Sequence, residues 1–142
     1  MTRVTSIFKV DISSKQDLPL YLSRIKAGFP SPADDYLDKK LDLNEHLIKH
    51  PASTFIVKVK GDSMVGAGIV SGDMLIVDRS VKAKDKKIVV AILNGDFTVK
   101  RFHEKGNKQF LISENPDYKP IEITEGMDFE VWGVVIHVIR SV

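Results

Sequence analysis

The sequence predicts a mainly β protein, in which a compact domain of several short strands follows a mobile N-terminal arm with one or two short helices. Two observations predict this class. From Phe55 onward the chain is rich in valine, isoleucine and phenylalanine, in short runs separated by turn signals. Before about residue 50 it is polar, and before Ala27 it has little periodic signal. We therefore divide it into an arm (1–27), a linker with short helical segments (28–50) and a β domain (51–142).

Short apolar runs mark the strands of the β domain. In chain order they are FIVKVK, MLIVD, IVVAIL, FTVKRF, QFLIS, PIEI and FEVWGVVIHVIR. In the first run, Phe55, Val57 and Val59 alternate on one face, as in a half-buried strand. The clearest turn is Asn94-Gly95, because both positions tolerate positive φ and the pair lies between two hydrophobic runs. These two runs are predicted to form a hairpin.

Two short helices are predicted before the β domain. Ser31 is suited to cap the first, with Pro32 at its first position and acidic residues near its positive end. The segment DLNEHLIKHP predicts the second, with Asp42 as its cap and Pro51 as its stop.

Composition narrows the possible functions. The chain has no cysteine, which excludes disulfides, thiolate metal sites and a cysteine nucleophile. Its 21 basic and 19 acidic residues give a net charge of +2, so the basic stripe of a nonspecific nucleic-acid binder is not expected. No apolar run approaches the ~20 residues that span a bilayer, and no signal peptide is recognisable. We expect a cytoplasmic protein with no membrane contact, no metal and no cofactor.

The segment GDSMVGAG places Ser63 on a turn after a hydrophobic strand. It is either an ordinary surface serine or a nucleophile, and a serine nucleophile needs an activating base. His46 and His50 have i,i+4 spacing but lack the glutamate of a metalloprotease helix, so we interpret them as surface residues. His103 is expected to be solvated, and His137 to be a core or interface residue.

Lys100 is the other candidate base. It stands within the strand FTVKRF, with Thr98 on the same face, where that hydroxyl could orient the amine. Burial would lower the lysine pKa from about 10.4, because desolvation disfavours the ammonium. A strand lysine can equally reach solvent with its charged end. The pattern alone leaves both interpretations open.

Several motifs together resemble one known family. GDSM, GDMLIVD and NGDFTVKRF, in this order, resemble the LexA-like serine–lysine self-cleaving proteins. The segments AGFPSPADDYLDKKLDLNEHLIKHP and FEVWGVVIHVIR extend the resemblance from about residue 20 to 142. It is strongest to those members that are precursors of an accessory subunit of an error-prone lesion-bypass polymerase. The resemblance implies a LexA-like β peptidase and dimerisation domain.

The resemblance also implies roles for individual residues. Ser63 matches the nucleophile and Lys100 the general base. The bond between Ala27 and Gly28 matches the cleavage site, and two small residues allow a peptide to approach a recessed serine closely. The backbone N–H groups of Asp62 and Ser63 are the implied donors to the developing oxyanion.

In this family, a recombinase filament on single-stranded DNA stimulates self-cleavage after DNA damage. The resemblance therefore implies an SOS response protein whose residues 28–142 act, as a homodimer, with the catalytic subunit of the lesion-bypass polymerase. Only 27 residues precede Gly28, too few for the DNA-binding domain of the repressors. We expect no sequence-specific DNA binding by the chain itself.

The sequence is compatible with three other functions. The chain could be a dimeric adaptor of a polymerase whose Ser-Lys pair is idle. A signal-peptidase-like enzyme is disfavoured because no transmembrane segment is predicted. A transcriptional repressor is disfavoured because a DNA-binding domain is missing. Trp132, in the last apolar strand, belongs either to the core or to an interface.

Overall fold

The computed structural model describes residues 1–13, 17–21 and 37–142. The chain divides into two units, one formed by Met1–Val10 with His50–Val142 and the other by Asp11–Lys49. Strands dominate the larger unit, which confirms the mainly β class predicted from the sequence. No helix in the described ranges is long and apolar enough to cross a membrane.

The strands are β1 (Arg3–Lys9), β2 (Asp17–Tyr21), β3 (Leu37–Asp42), β4 (Thr54–Lys60), β5 (Met74–Asp78), β6 (Ile88–Leu93), β7 (Asp96–Lys105), β8 (Lys108–Ile112), β9 (Ile121–Glu122) and β10 (Phe129–Ile139), and the helix α1 is Leu43–Leu47. In the larger unit, the described strands form an antiparallel sheet in the order β1-β4-β5-β10-β6-β7-β8-β9. β1 also pairs with β7, so six of these strands close into a ring.

The hairpin between β6 and β7 has the predicted turn. Asn94 has φ +49° and Gly95 has φ +86°, and Leu93 pairs with Asp96. Positive φ at both central positions gives a turn whose twist matches that of the two strands. The hairpin predicted from Asn-Gly is confirmed, and it sets the register that places Lys100 on β7.

Alternating side chains of the ring form the core. The first buried cluster consists of Val57, Val59, Met64, Ile69, Leu75, Val77, Val90 and Val99. Trp132 is partly buried against this cluster, and its ring centroid lies 5.3 Å from that of Phe55 and 5.9 Å from that of Phe97. Trp132 therefore packs with the core, as one of the two interpretations held.

Asp78, the last residue of β5, has a buried carboxylate. Asp78 accepts hydrogen bonds from the backbone and hydroxyl of Ser80 at 2.8 and 2.7 Å and from the Ser53 hydroxyl at 3.0 Å. His50 Nδ1 lies 2.5 Å from the carboxylate. Burial raises the pKa of Asp78, but these hydrogen bonds outweigh burial and lower it to about 2.

We expect Asp78→Asn to reduce the free energy of unfolding at pH 7 by about 2 kcal/mol. The folded pKa lies below the unfolded value, so this stability is present above pH 3.8 and is lost as the pH falls towards 2. Urea unfolding at neutral and strongly acid pH measures the effect. The exposed Asp96→Asn is the control. If the difference in free energy of unfolding between Asp78→Asn and the parent does not change with pH, the lowered pKa assigned to Asp78 is contradicted.

The smaller unit contains the predicted second helix. β2 and β3 pair antiparallel, with Asp17 opposite Asp42. The Asp42 carboxylate then caps α1 by accepting from the Asn44 backbone N–H at 3.0 Å, which confirms the predicted helix start. α1 ends at Leu47, before the predicted stop at Pro51.

Part of the predicted mobile arm is strand. Residues 3–9 form β1 and 17–21 form β2, while 37–42, assigned to the linker with helical segments, form β3. In β1 only Val4 and Ser6 are even partly buried, so the segment carries little hydrophobic periodicity. It is held instead by backbone pairing with β4, a distant strand, which a local pattern does not reveal. The helix predicted at Ser31 lies outside the described residues.

Candidate active site

Ser63 lies in the turn that follows β4. Gly61 has φ +120°, a conformation that favours glycine, and it redirects the chain immediately after the strand ends. Ser63 is fully buried, and a single 3₁₀ turn, Val65–Ala67, follows it. The turn predicted from the GDSM motif is thus present, but its serine is in the interior rather than on the surface.

Hydrogen bonds join the Ser63 turn to the segment that follows β8. The Gly66 N–H donates to the Glu114 carbonyl at 2.8 Å, and the Asn115 side-chain amide donates to the Asp62 carbonyl at 2.9 Å. The Tyr118 hydroxyl donates to the Asp62 carboxylate at 2.6 Å. A Cβ at Gly66 would lie 2.6 Å from the Glu114 carbonyl oxygen, so this contact requires glycine.

Lys100 lies on β7 and is 1% exposed. Its Nζ is 3.5 Å from Ser63 Oγ and 2.6 Å from Ser113 Oγ. Burial lowers the pKa of Lys100 from 10.5, because the ammonium loses its water there. The structure therefore favours the buried-lysine interpretation over the solvated one, and it brings an amine with a lowered pKa next to a hydroxyl.

Ser113 is a site residue that the sequence reasoning missed. The hairpin between β7 and β8 pairs Arg101 with Ile112, so the next positions, Lys100 and Ser113, face each other. Reading the register from the turn at Gly106 would have indicated it. Thr98 was predicted to orient the amine, but its described hydrogen bond goes to the Thr2 carbonyl at 2.9 Å, and the hydroxyl beside Nζ belongs to Ser113.

Thr2 also belongs to the site, although the sequence analysis places it in the N-terminal arm. Its backbone N–H donates to Ser63 Oγ at 2.7 Å, and the Ser63 hydroxyl donates to Thr2 Oγ1 at 2.9 Å. Thr2 is fully buried. The contact joins residues 61 positions apart, and no local pattern around Thr2 indicates it.

The other predicted site residues have different outcomes. Ala27 and Gly28 lie outside the described residues, so their proposed role as the cleavage site stays a prediction. His103 is only partly exposed and lies 2.8 Å from Asp85. In the parts of the chain that the structure describes, no group of three histidine, aspartate or glutamate side chains could hold a metal ion.

If the chain cleaves itself as the resemblance implies, Ser113→Ala should slow that cleavage by about tenfold to a hundredfold, because the Lys100 amine would lose the hydroxyl that positions it. Ser113→Thr, which keeps the hydroxyl, should restore most of the rate. The rate is measured by intact mass across a pH series. The pH midpoint should shift in Ser113→Ala, and an unchanged profile with an unchanged rate would exclude a positioning role.

Comparison with known proteins identifies the family to which the chain belongs. Residues 19–136 match the model of the Peptidase S24-like family. Protein MucA of Salmonella typhimurium is 41% identical over 136 residues, which cover 91% of this chain and 92% of MucA. Protein SamA of Salmonella typhimurium strain LT2 is 44% identical over 123 residues, with 87% of each chain covered. The LexA repressor of Shewanella baltica is 37% identical over 134 residues, with 94% of this chain and 64% of the repressor covered.

The chain therefore belongs to the peptidase S24-like family, a family of serine peptidases. Within that family it is similar to the UmuD-like proteins, among them MucA and SamA, which confirms the resemblance found in the sequence. This similarity implies a role in SOS mutagenesis.

Proposed function

We propose that the chain is a self-cleaving serine peptidase that cuts its own Ala27–Gly28 bond, with Ser63 as nucleophile and Lys100 as general base. One observation carries the proposal. A fully buried lysine with a lowered pKa lies 3.5 Å from a fully buried serine hydroxyl, although Lys100 lies on β7 and Ser63 in the turn after β4. Burying such an amine is costly, and proximity to a nucleophile gives it a use.

The proposed reaction needs a neutral lysine. Its amine takes the Ser63 proton as Oγ attacks the Ala27 carbonyl carbon, and the N–H groups of Asp62 and Ser63 hold the resulting oxyanion. The ammonium then gives its proton to the Gly28 nitrogen, which leaves as an amine. Water, deprotonated by the same lysine, hydrolyses the seryl ester and releases Ser63. Because the substrate is tethered, its effective concentration is high and a slow catalyst suffices.

The proposed biological role follows from the UmuD-like relatives. A recombinase filament on single-stranded DNA would stimulate the cleavage. Residues 28–142, as a homodimer, would then serve as an accessory subunit of an error-prone translesion polymerase.

A second candidate function is a dimeric polymerase adaptor with an idle dyad. It is favoured by one contact, since the Ser63 hydroxyl donates to Thr2 rather than to Lys100. The two functions differ in one measurable product, a shortened chain beginning at Gly28.

Alkaline incubation tests the proposed function directly. At about pH 10 the Lys100 amine should lose its proton without an activator, so the parent should lose residues 1–27 over hours. Intact mass spectrometry follows the loss, and the pH midpoint of the rate should lie below 10.5, since burial lowers the lysine pKa. Ser63→Ala should stay intact. If the parent remains uncut even when the recombinase filament is added, the peptidase function is excluded and the adaptor function is retained.

A further inference from the structure

The first residues of the chain lie across the candidate active site. β1 pairs with β4, which leads into the Ser63 turn, from Arg3 opposite Lys60 to Lys9 opposite Phe55. Its beginning also reaches β7, which carries Lys100, because the Thr2 carbonyl accepts from the Val99 N–H at 3.2 Å. The segment therefore bridges the two strands between which a substrate peptide would have to approach Ser63.

Thr2 uses both hydrogen-bonding functions of the candidate nucleophile. Its N–H donates to Ser63 Oγ, and its own hydroxyl accepts the Ser63 proton. Attack would require that proton to pass to Lys100, whose amine is instead 2.6 Å from Ser113 Oγ and 3.5 Å from Ser63 Oγ. In this arrangement Lys100 donates to Ser63 Oγ at 3.5 Å, while the Ser63 proton is directed to Thr2 rather than to its base.

Gly61 provides the space for this occupant. A Cβ at Gly61 would lie 2.3 Å from the Met1 carbonyl oxygen and 2.9 Å from the Thr2 Cα. Real Cβ atoms do not come that close to backbone. The backbone of Met1 and Thr2 is thus seated against a position that has no side chain.

The bound segment is not arranged for cleavage. A seryl oxygen attacks a carbonyl carbon from above the plane of the peptide group. Here Ser63 Oγ accepts the Thr2 N–H, so it lies near that plane, at the edge of the peptide group. The Met1–Thr2 peptide is therefore held as an occupant rather than as a substrate.

We propose that residues 1–9 are a built-in inhibitory strand. This strand must leave the cleft between β4 and β7, the two strands with which it pairs, before the Ala27–Gly28 segment can reach Ser63. The inference rests on the proposed function, because it assigns a regulator to that catalytic site. Self-cleavage then occurs only in the fraction of molecules whose cleft is open, and an activator can act by enlarging that fraction.

A reversible disulfide tests the inhibitory strand. Arg3 and Lys60 are directly paired and exposed, and paired Cα atoms of antiparallel strands are about 4.5–5.5 Å apart, which suits a disulfide. The chain has no other cysteine, so Arg3→Cys with Lys60→Cys can form only one intramolecular bond. Oxidation should lock β1 in place and stop alkaline self-cleavage, and a reductant should restore it. Lys105→Cys with Lys108→Cys, an exposed pair on β7 and β8, is the control whose oxidation should change nothing.

The opposite change should release the strand. Thr2→Glu places a carboxylate in a fully buried position beside Ser63. Assayed at a pH at which the Lys100 amine is deprotonated and offers no ion pair, this carboxylate should expel β1. If the cleft is open about a tenth of the time in the parent, self-cleavage should speed up about tenfold. Thr124→Glu, at an exposed position, should leave the rate unchanged.

The outcomes separate the two proposals. Undiminished cleavage in the oxidised Arg3–Lys60 variant, or a disulfide that forms only between two chains, overturns the inhibitory strand and leaves the peptidase. An unchanged rate of self-cleavage in Thr2→Glu would also overturn the inhibitory strand and leave the peptidase. If neither the parent, the reduced variant nor Thr2→Glu cleaves at alkaline pH, even with the recombinase filament added, the peptidase is overturned and the inhibitory strand with it.

Discussion

Lys100→Met is expected to lower self-cleavage at least about a thousandfold, because it removes the only proposed general base. The same change should raise the free energy of unfolding at neutral pH. Methionine has a similar shape and needs no hydration, whereas the buried amine pays for desolvation whenever it carries a charge. Loss of function and gain of stability from one substitution would be typical of a residue kept for chemistry.

The stability gained should depend on pH in a definite direction. The folded pKa of Lys100 lies below its unfolded value of 10.5, so between the two values the unfolded chain binds a proton that the folded chain does not. The free energy of unfolding of the parent therefore rises with pH through that window. The difference in free energy of unfolding between Lys100→Met and the parent becomes smaller.

Urea unfolding at neutral pH and at about pH 10, beside a cleavage assay, measures both effects. For the unfolding curves, both the reference chain and the Lys100→Met chain also carry Ser63→Ala, so that neither can cleave itself during the measurement. Lys108→Met, at a largely exposed lysine, should change neither quantity. A Lys100→Met chain that still cleaves, or a stability difference that is constant with pH, would contradict the assignment.

Gly66→Ala is expected to lower self-cleavage about a hundredfold while leaving the chain folded. The new Cβ would lie 2.6 Å from the Glu114 carbonyl oxygen, so the Ser63 turn must move away from the segment that holds Ser113. Overpacking of this kind costs about 1–3 kcal/mol of stability. The loss of rate should exceed what that destabilisation explains, because the distance between Ser63 and Lys100 changes.

Val65→Ala is the matched control for Gly66→Ala. Val65 lies in the same turn with an exposed side chain, so its truncation should preserve the cleavage rate. Rates come from intact mass at alkaline pH, and thermal unfolding confirms that each variant is folded. Cleavage by Gly66→Ala at the rate of the parent would show that the contact with Glu114 does not position the nucleophile.

Much of the fold could be predicted because its signals are local. Alternation in FIVKVK, the Asn94-Gly95 turn and the Asp42 cap each act within a few residues, and the structure confirms each of them. β1 could not be predicted in the same way. Five of its seven residues are exposed, and its partner strand lies about 50 positions away in the sequence. Its pairing arises from unsatisfied backbone groups at the edges of β4 and β7.

The candidate site divides in the same manner. Ser63 and Lys100 were found from motifs, and the structure brings them to 3.5 Å. Ser113 and Thr2 were not found, because an isolated serine or threonine has no distinctive neighbours. Only the register of β8 against β7 and the closure of the ring by β1 bring their hydroxyls to the dyad.

By itself, the sequence determined the β class, the turns that separate the strands, and the pair of residues on which the proposed chemistry depends. These features follow from periodicity, backbone preference and motif order, which are properties of short segments. The tertiary structure alone decided that Lys100 is buried, that Ser113 contacts its amine, and that Thr2 holds the Ser63 hydroxyl. Burial and long-range pairing depend on how distant strands close into a ring, and the lowered lysine pKa is a consequence of that closure.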